Sequence, residues 1–290
     1  MSNAVTDDSQ LYEGKIVQNH MALRGIITVS GIILAIGNAH AQPDDVPECD
    51  DTCQATRNAQ DPTAAVNGVF FDNTFGFGPS TDNTSYNLQV QPIATALQED
   101  WGDVVLRGII PVLGVPTPAS GGELDTEFGL SDTILQAFYI PKLDIGFKFG
   151  IGPQISFATH TKDESQAAGW GGGIAGGGFG FIGPLSIGGI INHLWGQDDF
   201  SQTTVQPIVY YNVKESPIGA WFIGYNSEII YDWSADDDPW QVPLGATVGK
   251  TFLTSSGYSM TFNLGAYELI EKQANGNDWQ LQFSLNILFP

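Results

Sequence analysis

Between Leu143 and Phe157 the chain reads LDIGFKFGIGPQISF. Leu143, Ile145, Phe147, Phe149, Ile151, Ile155 and Phe157 all fall on odd positions, with Pro153 the one interruption. Asp144, Gly146, Lys148, Gly150, Gly152, Gln154 and Ser156, all small or polar, take the even positions. Successive side chains of an extended strand point to opposite faces, so this period of two divides an apolar face from a polar one. The alternation returns near the C-terminus, where Leu281, Phe283, Leu285, Ile287 and Phe289 oppose Gln280, Gln282, Ser284 and Asn286. Candidate strands run over about 64–72, 86–96, 103–113, 131–140, 143–159, 169–182, 185–196, 202–213, 219–233, 240–253, 258–271 and 278–289. No amphipathic helix of convincing length interrupts them.

Alternating strands suit a soluble β-sandwich or a barrel in lipid, and composition separates the two. Charged residues make up 14% of the 290 positions, against about a quarter in soluble domains. No apolar run reaches the length of a transmembrane helix. All seven tryptophans, Trp101, Trp170, Trp195, Trp221, Trp233, Trp240 and Trp279, fall at or beside expected strand ends, where the interfacial girdles of a membrane barrel lie. The links alternate in length, short ones such as SSG and GP with longer ones such as HTKDESQAA and GVPTPASGGELDTEFGL. The expected fold is an all-β, transmembrane antiparallel β-barrel of about twelve strands over residues 64–290. Pro92, Pro111, Pro153, Pro207 and Pro243 fall inside expected strands, and each removes a ladder donor, so bulges or strand ends are expected there.

The N-terminus supplies an address. From Met21 an arginine, an apolar run over 25–36 and Ala39-His40-Ala41 match a secretory signal with cleavage after Ala41, so residues 1–41 read as a leader. Residues 42–63 then form a periplasmic segment. In it ECDDTC places Cys49 and Cys53 together, and a local disulfide is favoured in an exported chain. Two thiols without nearby partners do not make a metal site, and no cofactor motif is present. GWGGGIAGGGFGFIG lacks the Lys-Ser or Lys-Thr of a phosphate loop.

Without the leader the chain carries a formal charge of −21, which excludes nucleic acid as a natural partner. Asp163-Glu164, Asp198-Asp199 and Asp236-Asp237-Asp238 fall in links assigned to the outside. A solvated acidic rim or divalent-cation binding are the two readings of them. By parity Gln89, Gln91, Arg107, Lys148, Gln154, Gln206, Asn226, Glu228, Asn263, Gln282 and Asn286 point into the lumen. Arg107, Lys148 and Glu228 are its scarce charges and would set selectivity in a narrow pore, with Gln154, Asn226 and Gln206 beside them. Lys250 falls on the lipid-facing parity, which a bulge or snorkelling would resolve.

DWQLQFSLNILFP, WQVPLGATVGKTF, INHLW followed by VQPIVYYN, LQVQPIA, RGIIPV and GLSDTILQAFYIP occur in an order that resembles an outer-membrane family. That family is named for a MetA pathway of phenol degradation, and its members are described as transporters. The resemblance covers residues 60–290. It implies a channel or transporter for small, hydrophobic or aromatic solutes; the expected partners are outer-membrane lipid, the barrel assembly machinery, the solute and divalent cations at the acidic outer loops. Phe289 resembles the terminal aromatic of a barrel assembly signal. Two alternatives remain. One is a structural or adhesive barrel with cation-binding loops; the other is a lipid-modifying enzyme using His160 or His193 as base. No nucleophile motif accompanies either histidine, so no catalytic residue is assigned.

Overall fold

The computed structural model of the protein describes residues 50–78, 84–118, 124–213, 220–273 and 276–290. The expected leader, its cleavage point and Cys49 lie outside them. One helix, α1 (Asp51–Gln60), precedes the strands β1 (Gly68–Phe77), β2 (Thr84–Glu99), β3 (Gly102–Pro118), β4 (Leu124–Leu130) and β5 (Thr133–Pro141). There follow β6 (Phe147–Phe157), β7 (Gly171–Ile182), β8 (Leu185–Trp195), β9 (Ser201–Val213), β10 (Ala220–Tyr225) and β11 (Ile229–Asp232). The last three are β12 (Trp240–Leu253), β13 (Ser259–Glu271) and β14 (Trp279–Leu288).

Each strand pairs antiparallel with its neighbours, and β1 closes on β14 from Gly68↔Leu288 to Phe77↔Trp279. β4 and β5 share one stave of the wall beside β3, and β10 and β11 share another between β9 and β12. The result is the expected closed transmembrane barrel of twelve staves. Closure pairs the backbone within the sheet, as hydrocarbon demands.

Burial is inverted relative to a soluble core. On β6, Ile151 is 56% exposed whereas Gln154 is 2% and Ser156 0% exposed. Trp101 and Trp221 lie towards the end that holds the barrel's two termini; Trp170, Trp195, Trp233, Trp240 and Trp279 ring the other. Lys250 keeps its outward parity without a local bulge, and its Nζ lies 4.9 Å from the Trp221 ring and 4.5 Å from that of Phe252. Cation–π contact on the girdle accommodates it.

Three expected strands need correction. Leu143 and Ile145 are not in β6 but in the preceding turn, where Gly146 takes φ +75°, so the opening alternation overran the strand. The stretch 219–233 is not continuous, because residues 226–228 leave the ladder between β10 and β11. The first strand begins at Gly68 and runs on to Phe77. Conversely, much of GVPTPASGGELDTEFGL, expected as a loop, extends the β3–β4 hairpin from Val112↔Leu130 to Pro118↔Leu124.

The five strand prolines mark breaks in pairing. β2–β3 pairing lapses at Gln91 and Pro92, β3 changes partner at Ile110 and Pro111, and β5–β6 pairing lapses at Gly152 and Pro153. β9 passes from β10 to β11 across Gln206, Pro207 and Ile208, and β12 shifts register at Val242/Pro243. A residue without an N–H leaves no orphan donor at such a point.

Arginine at position 151, on the lipid face of β6, should cost about 2–4 kcal/mol of barrel stability. The measurement is the denaturant midpoint of refolding into vesicles, followed by heat-modifiable gel mobility. An unchanged midpoint would place the strand's faces the other way round.

Candidate functional site in the barrel lumen

Three elements shape the lumen. The first is α1, capped by Asp50 Oδ1, which accepts the Cys53 amide at 2.7 Å, with Asp51 in its first turn and Arg57 in its last. Cys53 is disulfide-bonded. The helix packs against β10, β12 and β13 near the end of the barrel that holds both termini. Gln60 is buried, donating to Asn212 Oδ1 at 2.9 Å and accepting from Ser186 Oγ at 2.6 Å. The Arg57 guanidinium lies 4.7 Å from the Phe181 ring. Lys148 reaches in from β6 to Asp61 Oδ2 at 2.9 Å.

The second element is the inward fold of Asn226, Ser227 and Glu228. Gln206 Nε2 donates to the Asn226 carbonyl at 3.0 Å, and Tyr267 Oη donates to Asn226 Oδ1 at 3.3 Å. From β14, Gln280 and Gln282 donate to Ser227 Oγ at 2.9 and 3.0 Å. The first of these bonds replaces a ladder partner for the Asn226 carbonyl, and the others hold the side chains of the segment that has left the sheet.

The third is a charge network on the facing wall. Arg107 on β3 donates through Nε to Gln91 Oε1 at 3.0 Å, and its Nη2 bonds the same oxygen. Gln91 Nε2 donates to Asp72 Oδ2 at 2.9 Å and to Gln89 Oε1 at 2.7 Å. Asp72 and Glu228 line the same cavity as Arg107. The Arg107 stave and the Glu228 stave stand on opposite sides of the twelve-stave wall, so the two residues line the cavity from opposite sides of the bore. This cavity of about 180 Å³ lies between these groups, with Ala59, Gln60 and Pro62 of the N-terminal segment on one side.

Arg107, Glu228, Gln206 and Asn226 therefore share one cavity. Lys148 stands apart, held by Asp61. Gln154 is a buried wall residue that accepts from Gln136 at 2.9 Å and donates to the His193 carbonyl at 3.0 Å. Asp72 and Ser227 join the site without having been singled out in the sequence. Asp72 lay at the edge of the expected first strand; Ser227 enters only because the chain folds inward.

Away from the lumen cavity, Asp132 in the β4–β5 break fixes the link from 158 to 170. It accepts from His160 Nδ1 at 2.6 Å and from the amides of Ala167 and Gly169 at 2.8 and 2.7 Å. Burial pushes its pKa up, but His160 and the amides outweigh burial and hold it below the ordinary carboxylate range. No group of three metal-ligating side chains occurs among the described residues.

No family model and no curated protein matches the sequence. Among solved structures, an outer membrane channel from Pseudomonas putida F1 superposes with a TM-score of 0.55 at 14% identity, over 79% of this chain and 98% of that one. The fold is that of an outer-membrane barrel. KdgM porin aligns with a TM-score of 0.42 at 9% identity, over 77% of this chain and 98% of that one. The outer membrane phospholipase A from Escherichia coli aligns at 0.37 and 9%, over 81% and 96%.

Asp132→Asn should loosen the 158–170 link at pH 7, read as faster amide exchange there. A carboxylate with a lowered native pKa stabilises the link above its unfolded value near 3.8, and that contribution is lost as pH falls through the lower native value. Wild-type exchange at 158–170, corrected for intrinsic rates, should therefore rise only in strong acid.

Proposed function

We propose that the protein is an outer-membrane channel or transporter for small amphipathic solutes. The observation that carries this reading is the mixed lining of the lumen cavity. Asn87, Asn263 and Asn286 each present a buried side-chain carbonyl without a hydrogen-bond partner, next to Phe70, Ile93 and Ile208. Unpaired buried acceptors favour a guest that brings donors, while the apolar side chains favour one with a hydrocarbon face. A hydroxylated aromatic meets both demands, which agrees with the resemblance to the phenol-pathway family. The turns at the end holding the termini are short, from Glu99 to Gly102 and from Ile182 to Leu185, and the 158–170 link lies at the opposite end. This supports a periplasmic position for α1 and an outer position for Asp132.

Twelve staves give a bore between a side-chain-filled eight-stranded barrel and an open porin. Arg107 and Glu228 face one another across it, so their fixed charges act where solvent screens poorly. In planar bilayers under a salt gradient, Arg107→Gln should shift the reversal potential towards cation selectivity, and Glu228→Gln should shift it the other way. Lys148→Gln should change selectivity less and instead raise open probability, because it frees the α1 end at Asp61. Reversal potentials indifferent to both lumen substitutions would remove this site from the conduction path.

A further inference from the structure

Cross-strand partners share a face, so the outer surface of β6 to β9 can be laid out in rows. Phe149, Gly178, Gly189 and Pro207 form one row, and Ile151, Gly176, Ile191 and Val205 the next. Gly178 and Gly189 bring the floor of the first row down to the backbone. Phe149 and Ile191 stand up beside it, 47% and 53% exposed. The result is an almost wholly apolar groove of about 440 Å³ on the lipid side of the wall.

Continuing along β8 and β9 towards the outer end, the same face becomes polar. Thr203 pairs with His193, and Ser201 with Trp195. His193 Nδ1 bonds Thr203 Oγ1 at 2.7 Å, and its Nε2 lies 3.4 Å from Ser201 Oγ. Trp233 Nε1 donates to Thr203 Oγ1 at 2.9 Å. Trp195 and Trp233 flank this cluster, 54% and 61% exposed. From Pro207 to Ser201 the strand covers about 20 Å. The apolar groove, bounded on this side by Ile191 and Val205, is thus followed on the next row by a hydrogen-bonding cluster at the height of the tryptophan girdle, where the linkages between acyl chains and head group of a lipid lie.

We infer that this face binds one molecule of the acylated saccharide lipid of the outer leaflet. One acyl chain lies in the glycine-floored groove. The ester or amide oxygens and hydroxyls at its upper end meet His193, Ser201 and Thr203, and the exposed indoles stack on the sugar. A hydroxyl- and imidazole-bearing cluster at girdle height, beside an apolar groove, matches a lipid whose polar linkages and acyl chain lie at those two heights. The orientation of the site rests on the outer-membrane reading above.

The test uses protein refolded from urea, free of cellular lipid, and incubated in detergent with lipid A and magnesium. Native mass spectrometry should show one retained lipid A. Val205→Trp, which fills the groove, and His193→Leu, which removes the ring nitrogens, should each lower retention about tenfold, equivalent to about 1.4 kcal/mol. Leu264→Trp, on the exposed outer face of β13, should leave it unchanged. Heat-modifiable mobility reports folding. Should either variant fail to fold, Thr203→Val and Ser201→Ala keep the volume and remove only the hydroxyls, with the same loss expected of the pair. Wild-type protein that retains no lipid A, or folded variants that retain as much as wild type, would overturn the site. Equal retention of phosphatidylglycerol would overturn the saccharide lipid as its occupant. Conductance enters none of these measurements, so a failed channel assignment and a failed lipid site are told apart.

Discussion

Backbone pairing in hydrocarbon is the constraint on which the rest of this structure depends. An unpaired peptide group inside a bilayer costs several kcal/mol, so a sheet there must close. The β1–β14 ladder provides that closure. It also makes every interruption of the wall expensive, and the interruptions fall where the cost is least. Pro92, Pro111, Pro153, Pro207 and Pro243 offer no N–H to be orphaned, and each stands where pairing lapses, shifts or changes partner. The largest departure, at Asn226 to Glu228, is held from inside the lumen, by Gln206 on the Asn226 carbonyl and by Tyr267, Gln280 and Gln282 on the Asn226 and Ser227 side chains.

That inward fold is what turns a wall into a site. Arg107 projects from the opposite side of the bore, and Gln91 holds its guanidinium while also bonding Asp72. A neutral amide between a cation and an anion fixes both without bringing them into direct ion pairing, so the field of each remains expressed in the cavity. No salt bridge joins Arg107 to a carboxylate among the described residues.

Strand alternation and tryptophan position made the barrel legible, because lipid imposes an apolar outer face and interfacial indoles at strand ends. The same parity placed Arg107, Gln206 and Glu228 inward. It misjudged Leu143 and Ile145, since an apolar residue in an interfacial turn looks the same in sequence as one in a strand. It also gave no sign that α1 packs against lumen residues. The helix is ten residues long and mostly polar, and its partners Ser186 and Asn212 lie more than a hundred positions away. The inward turn at Ser227 was invisible for a related reason: strand propensity runs on through 219–233, and the break is set by Pro207 on one neighbour and Pro243 on the other.

Two of the three lumen charges named from sequence, Arg107 and Glu228, line one cavity, and Lys148 stands apart from it. Lys148 is half-exposed and bonds a buried Asp61 at the end of α1. An ion pair with one exposed member contributes about 1 kcal/mol or less after screening. The buried bonds from Gln60 add about 0.5–1.5 kcal/mol each. The polar hold on the helix therefore amounts to a few kcal/mol. Ala59 and Gln60 belong to the last turn of α1 and also line the cavity. Gln60 therefore serves two ends that cannot be changed separately, since it bonds Asn212 and Ser186 to hold the helix and also lines the lumen cavity.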